Sequence, residues 1–349
     1  MRFIMDFIAP LDKTHQSLIE HRINNKTKPL GSLGQLETLA TQLALILGAE
    51  KPMINQPTQL VFAGDHGVSE LGVSIAGPEV TGQMVANFCH GGAAINAFCS
   101  QNNMNLYVVD CGTVIEHPDH PMLIKQRIAP TTQAFNLTPA MSQEQLQQGL
   151  DFGKQAAVKA IATGANVIGI GEMGIGNTTS AAAIMHLITK HDIELCVGRG
   201  TGVDEDTVSK KKKIISDAAQ LHQDHISDAL SVLRLVGGFE ITQMVGAMLA
   251  IAEAGKVIVV DGFISSAAAL LACKMSDNVR DYMIFSHCSK ELGHQLLLTE
   301  LSAEPILDLN LRLGEGSGCP LALPLLRSAL AFYNEMASFE QANISVEQP

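Results

Sequence analysis

Apolar residues at Leu36, Leu39, Leu43 and Ile46 repeat at helical spacing, and the stretch before them, NNKTKPLGS, is punctuated by Pro29 and Gly31. The first fifty residues therefore predict two helices joined by a turn, with Ser32 and Gln35 in capping-box spacing at the start of the second. From about residue 56 the texture changes. Short β-rich runs now end in glycine and small polar residues: QLVFAGDHG, NLYVVDCG, NVIGIGEMGIG, ELCVGRGTG, KVIVVDGF and YMIFSHCS. Stretches of helical composition lie between most of them, among them QEQLQQGLDFGKQAAVKAIATG and EITQMVGAMLAIAEAG. This alternation predicts an α/β fold, a mostly parallel sheet covered by helices. Ligands collect at the carboxyl ends of the strands in such sheets, where every one of these glycine-rich motifs would sit. After residue 320 the run LALPLLRSALAFYNEMASF is helical again, with apolar residues on more than one face. It is expected to join the N-terminal helices as a small helical domain. The division expected is 1–55 for the N-terminal helices, 56–319 for the α/β domain that carries the chemistry, and 320–349 for the returning helix.

Composition narrows the picture. With 46% hydrophobic residues, 17% charged, 30 glycines and only 4% aromatics, the chain suits α/β layering better than an all-β sandwich. A net charge of −12 excludes non-specific binding to nucleic acid or to an anionic membrane, because both require a basic surface. Seven cysteines at 89, 99, 111, 196, 273, 288 and 319 form no CxxC pair and no metal-type spacing. They are read as reduced thiols of a cytoplasmic protein. Asp6 and Pro10 interrupt the N-terminus before a signal peptide could form, and no uncharged apolar run reaches the roughly 18 residues of a membrane span.

Four stretches could carry chemistry. In GIGEMGIGNTTSAAA, Gly169, Gly171 and Gly174 have the GxGxxG spacing of a dinucleotide site, between a strand and a helix. The acidic residue about 20 positions on should then close the next strand, yet Glu194 opens its run, which disfavours a dinucleotide. A broader reading is a phosphate cradle at a helix N-terminus, built from Gly174, Gly176, Asn177, Thr178 and Thr179, against the plainer reading of a capped strand-to-helix turn. Glu172 beside such an anion site makes sense if it binds sugar hydroxyls or a base. In FAGDHGV, Asp65 and His66 are either a catalytic or metal pair or a buried pair capping backbone groups. SHCSKELGH sets His287 and His294 seven apart, not at HExxH spacing, and no metal is expected. GRGTGVDEDTVSKKKK runs into four lysines, of which a helix can turn only one or two toward a site. Finally, LRLGEGSGCP places Glu315 between two glycines, as a surface turn or as a carboxylate that another group approaches closely.

KPLGSLGQLE, FAGDHGV, EVTGQMVANF with GGAAIN, GEMGIGNTT, VGRGTGVD, VDGFISSAAAL, SHCSKELGH and LRLGEGSG occur in this order from about residue 28 to residue 327. Taken together the chain closely resembles the nicotinate-nucleotide:dimethylbenzimidazole phosphoribosyltransferase family. The resemblance implies transfer of phosphoribose from nicotinate mononucleotide to 5,6-dimethylbenzimidazole, with inversion at the anomeric carbon, by a cytoplasmic homodimer without metal or cofactor. It implies a Rossmann-like sheet domain with a small helical domain from both chain ends. By position it makes Glu315 the general base and Glu172 the second active-site carboxylate, and it makes the loop of Gly174, Gly176, Asn177 and Thr178 the phosphate cradle. Lys211, eleven residues after Gly200, falls on the substrate-binding lysine; Gly202, Ser265, Ser266 and Ser289 fall on ribose or phosphate contacts. Ser74, Gln83 and Leu313 fall near the base pocket, with Leu311 and Leu313 expected to help keep water from Glu315. The chain departs from the family after GVS, where Ala76, Gly77 and Pro78 replace an aromatic residue followed by Pro and Gln, so a broader choice of base is an open expectation. The alternatives are phosphoribosyl transfer to another base and a nucleotide-sensing module without chemistry.

Overall fold

The computed structural model describes residues 8–48, 50–198 and 204–345. Two helices open the chain, α1 (Gln16–Asn24) and α2 (Gln35–Leu47), followed by β1 (Thr58–Gly64), α3 (Glu79–Cys89), α4 (Ala94–Gln101), β2 (Asn105–Gly112) and β3 (Leu123–Lys125). Then come α5 (Gln143–Ala162), β4 (Val167–Met173), α6 (Asn177–Thr189), α7 (Ile193–Cys196), α8 (Glu205–His222), α9 (Ala229–Val236) and α10 (Phe239–Glu253). The last part holds β5 (Val257–Val260), α11 (Phe263–Met275), β6 (Met283–Phe285), α12 (His294–Glu300) and α13 (Gly318–Glu335). The six strands pair parallel throughout, in the order β3-β2-β1-β4-β5-β6. That is the doubly wound order of a Rossmann-like sheet, in which the strand order reverses between β1 and β4.

A parallel sheet is covered on both faces, so its strands read as continuous apolar runs. Alternate residues still divide between two layers. Leu60, Phe62, Ile168, Ile170, Ile258 and Val260 join one buried cluster with α5, α6 and α8 to α11. Val61, Ala63, Val167, Val257 and Val259 join a second with α1, α2, α4 and α13. The helices from the two chain ends thus pack on one another and on the sheet in a shared core, with Ile19, Leu43, Leu326 and Tyr333 all under 2% exposed.

Two expectations fail. The run ELCVGRGTG is no strand: Ile193–Cys196 is a single helical turn, and residues 199–203 lie outside the described part. These four residues pack between helices α6 and α8, and there β propensity loses to context. The capping box at Ser32 does not form, because Gly34 at φ 53° caps α2, and Glu37 instead reaches back to accept the Leu33 N–H at 2.9 Å and the Lys28 ammonium at 2.8 Å. Strand β3 is not visible in the sequence pattern, being three residues on a sheet edge, too short to show a period.

Candidate active site

All six strands point their carboxyl ends to one edge, and the loops after β1 and β4 flank the reversal point. On β4, Gly171 and Glu172 face opposite layers. Glu172 is 6% exposed and accepts a hydrogen bond from the Asn177 side-chain amide at the start of α6. Burial, reinforced by the charges of Asp261, Glu240 and Glu315 against the opposing Asn177 bond, pushes its pKa up to about 8. The shift favours the protonated form of Glu172 at neutral pH.

The loop between Glu172 and α6 turns at Gly176, whose φ of 95° suits glycine. Within it the Ile175 N–H is taken by Thr81 Oγ1 at 3.1 Å, and the Asn177 side chain is spent on Glu172. Thr178 and Lys211 stand together at the positive end of α6, where Lys211 Nζ donates to Thr178 Oγ1 at 3.1 Å. Of the four lysines on α8 Lys211 alone is buried, which lowers its pKa, with Glu291 opposing. Lys212 and Lys213 pair with Glu194 and Asp217, and Lys210 is exposed.

The first two glycines of the GxGxxG spacing have another use. They lie inside β4, and a Cβ on Gly171 would collide with the backbone of Gly316, while one on Gly169 would strike Gln59. They let the Gly314–Gly318 segment settle onto the strand. There Glu315 is 7% exposed, and its Oε2 has no hydrogen-bond partner among the described residues. Burial raises its pKa, the Ile95 N–H at the start of α4 opposes, and Asp261 adds to the rise. A Cβ on Gly314 would stand 2.6 Å from Glu172 Oε1. The glycines around Glu315 thus make room for the protein's own Glu172 and Gln59, which are groups that approach this turn closely. Leu313 is 53% exposed.

The serines separate. Ser266, in the first turn of α11, shares a hydrogen bond with His294 Nε2 at 3.1 Å. His294 Nδ1 accepts the Ser289 N–H at 2.9 Å, so Nε2 carries the proton and donates to Ser266 Oγ. That leaves the Ser266 hydroxyl proton to be donated elsewhere, from a side chain that is 0% exposed. Burial holds His294 down to about 3, so it stays neutral. Ser265, in contrast, points its hydroxyl at Met244 Sδ, 3.8 Å away in the core, and the structure does not bring it to the cradle. Ser74 is half-buried, its Oγ accepting the Ala76 N–H at 3.1 Å. Gln83 lies exposed on α3, and Gly202 lies outside the described residues.

The Asp65–His66 stretch is a buried support. Asp65 Oδ2 accepts the Val114 N–H at 2.8 Å, and His66 Nε2 pairs with Glu240 Oε1 at 2.6 Å, both side chains 0% exposed. Sequence reasoning misses His294 and Glu240. The histidine's spacing bears only on metal binding, and the glutamate carries the same signal as Glu315, a carboxylate in an apolar run. Among the described residues no group of three or more His, Cys, Asp or Glu is placed to hold a metal ion, and no helix is long and apolar enough to cross a membrane.

A doubly wound sheet with a lysine-backed helix N-terminus and two adjoining carboxylates at its reversal point defines a nucleotide-binding α/β protein equipped for proton transfer. Residues 8–344 match a family model described as phosphoribosyltransferase. Nicotinate-nucleotide–dimethylbenzimidazole phosphoribosyltransferases of Photobacterium profundum and of a Shewanella species are 54% and 51% identical, over 94% and 97% of this chain and 96% of each of theirs. A crystal structure of CobT from Thermus thermophilus superposes with a TM-score of 0.91 at 43% identity, covering 95% of this chain and 98% of that one. The chain belongs to the nicotinate-nucleotide–dimethylbenzimidazole phosphoribosyltransferase family.

Proposed function

We propose that this protein transfers phosphoribose from nicotinate mononucleotide to 5,6-dimethylbenzimidazole, releasing nicotinate and forming α-ribazole 5'-phosphate. The observation that carries the reading is the pair of adjoining carboxylates beside the Lys211–Thr178 anion site. The phosphate sits on Lys211, Thr178 and the N-terminus of α6, with the Ser266 hydroxyl and Ser289 near the ribose phosphate. One benzimidazole nitrogen attacks the anomeric carbon as the bond to the pyridinium nitrogen breaks and its electron pair leaves with nicotinate. The other nitrogen gives its proton to Glu315, whose raised pKa suits it as a general base. Attack from the face opposite the nicotinate inverts the anomeric carbon. Protonated Glu172 serves as a hydrogen-bond donor to a ribose oxygen, and holding both substrates in one pocket supplies much of the rate. No cofactor takes part, and the working form is a cytoplasmic homodimer.

Nicotinate release from the mononucleotide tests this directly. Release should depend on added benzimidazole, and Glu315→Gln should slow it by roughly 10²-fold or more. A protein that binds the nucleotide and releases nothing with any base is a sensor, which defeats the proposal. The exposed Ile75 and the small Ala76 and Gly77 in place of an aromatic wall favour a second reading, acceptance of other flat bases. In the same assay with mixed bases, strict preference for dimethylbenzimidazole would rule that out.

A further inference from the structure

Gly314, Glu315 and Gly316 follow one another at φ 82°, 63° and 79°. This left-handed region is disfavoured for an L-residue, so a hold from outside the loop favours Glu315 there. The Ser317 N–H bonds the Gly314 carbonyl at 3.1 Å, which closes the turn without deciding where it points. The outside hold comes from Asp261, just past the end of β5. Its Oδ1 accepts the Gly318 N–H at 2.7 Å, and its Oδ2 accepts the Gly316 N–H at 3.2 Å. The two oxygens of one carboxylate thus grip the backbone immediately after Glu315.

Asp261 is 1% exposed and lies on the sheet face toward α13, beneath the loop. Around it, His287 Nδ1 stands 3.7 Å from Oδ1 and shares a hydrogen bond with Ser286 Oγ at 3.0 Å. Cys319 of α13 lies buried on the same face, where the Asp261 charge adds to the rise in its pKa. Burial raises the Asp261 pKa, while His287 and the amides of Gly318, Gly262 and Gly316 oppose.

We propose that Asp261 is the positioning residue for the Glu315 carboxylate, acting through the Gly316 and Gly318 amides. Bonds from backbone N–H groups to an ionised carboxylate are charge-assisted and directional, so they can hold a backbone that its own torsions disfavour. The charge has a second effect. Glu315 faces Glu172 from β4, Asp261 from β5 and the Ile95 N–H from α4, and among these Asp261 helps keep the base from being too weak. The proposal rests on Glu315 being the general base.

The test is a double-mutant cycle of Asp261→Asn and Glu315→Gln on nicotinate release, with nicotinate mononucleotide affinity measured alongside. Asp261→Asn should lower kcat by roughly 10-fold to 100-fold, leave nucleotide affinity within about threefold, and move the acidic limb of the kcat profile to lower pH. In the Glu315→Gln background it should add almost nothing, because residues acting as one unit are non-additive. A loss that is the same in both backgrounds, or an unmoved acidic limb, overturns the proposal while leaving the transferase reading intact. Should Asp261→Asn fail to fold, Gly318→Ala serves instead, since its Cβ would stand 2.9 Å from Asp261 Oδ1 and crowd His287 without changing any charge. It should lower kcat equally, non-additively with Glu315→Gln and without a limb shift; full activity would overturn the proposal. Amide exchange at Gly316 and Gly318 reads the hold without any turnover, so it decides the anchoring even if no base is ever accepted. Exchange in wild type as fast as in an open loop would defeat it.

Discussion

Glu172 shows what burial does to a single side chain. Its folded pKa of about 8 lies above the ordinary carboxylate value, so between pH 4.5 and 8 the folded state keeps a proton that the unfolded chain has lost. Stability falls as pH rises through that window and the full penalty is in place above it. Glu172→Gln, which retains an oxygen to accept from Asn177, should match wild type in melting temperature at pH 4 and melt increasingly above it from pH 5 to pH 8.5. Differential scanning fluorimetry across that range checks this, and a gap independent of pH would mean that Glu172 is ionised in the folded state. The same proton should shape turnover. Activity should decline above about pH 8, and Glu172→Gln should lack that alkaline limb. Glu172 and Glu315 are both visible in the sequence, as carboxylates where glycines surround them. The rise in the Glu172 pKa is not, because it comes first from burial and then from Asp261 and Glu240, which arrive from distant parts of the chain.

At the scale of elements, strand and loop are matched to each other. Gly171 leaves a gap in β4 that the Gly316 backbone fills, and Gln59 of β1 lies under the same loop. Gly171→Ala should push the loop outward. The expected result is a loss of about 1–3 kcal/mol in stability from overpacking. Turnover should slow by roughly 10-fold or more, because displacing a base by about 1 Å costs at least that much. Urea denaturation and nicotinate release measure the two separately. The GxGxxG spacing thus has a packing use, and the reason for its first two glycines lies in contacts with Gln59 and with a segment far along the chain. The strands and the crossover helices α5 and α10 are legible because their apolar runs are long and bounded by turn residues. ELCV is not, since four residues carry no period and only their neighbours decide.

On the scale of the whole molecule, α1, α2 and α13 share one apolar cluster with the sheet. The helical ends should therefore not unfold ahead of the rest. Far-UV and near-UV circular dichroism should give coincident urea transitions; a separate early step would mark the helical ends as an independent domain. Leu326→Ala, in the centre of α13 and 0% exposed, should destabilise the whole molecule by about 2–5 kcal/mol.

The sequence by itself determined the layering and the edge at which chemistry collects, because hydrophobic period and turn residues act locally along the chain. It also determined the family, because eight motifs in order leave little room for another. Tertiary structure alone decided which groups are poised. Ser265 turns into the core while Ser266 is aimed by His294, Asn177 serves Glu172 instead of an anion, and Asp261 grips the loop that carries Glu315. Each of these depends on a distance between residues far apart in sequence, and protonation and hydrogen-bond direction follow from such distances, which no local pattern encodes.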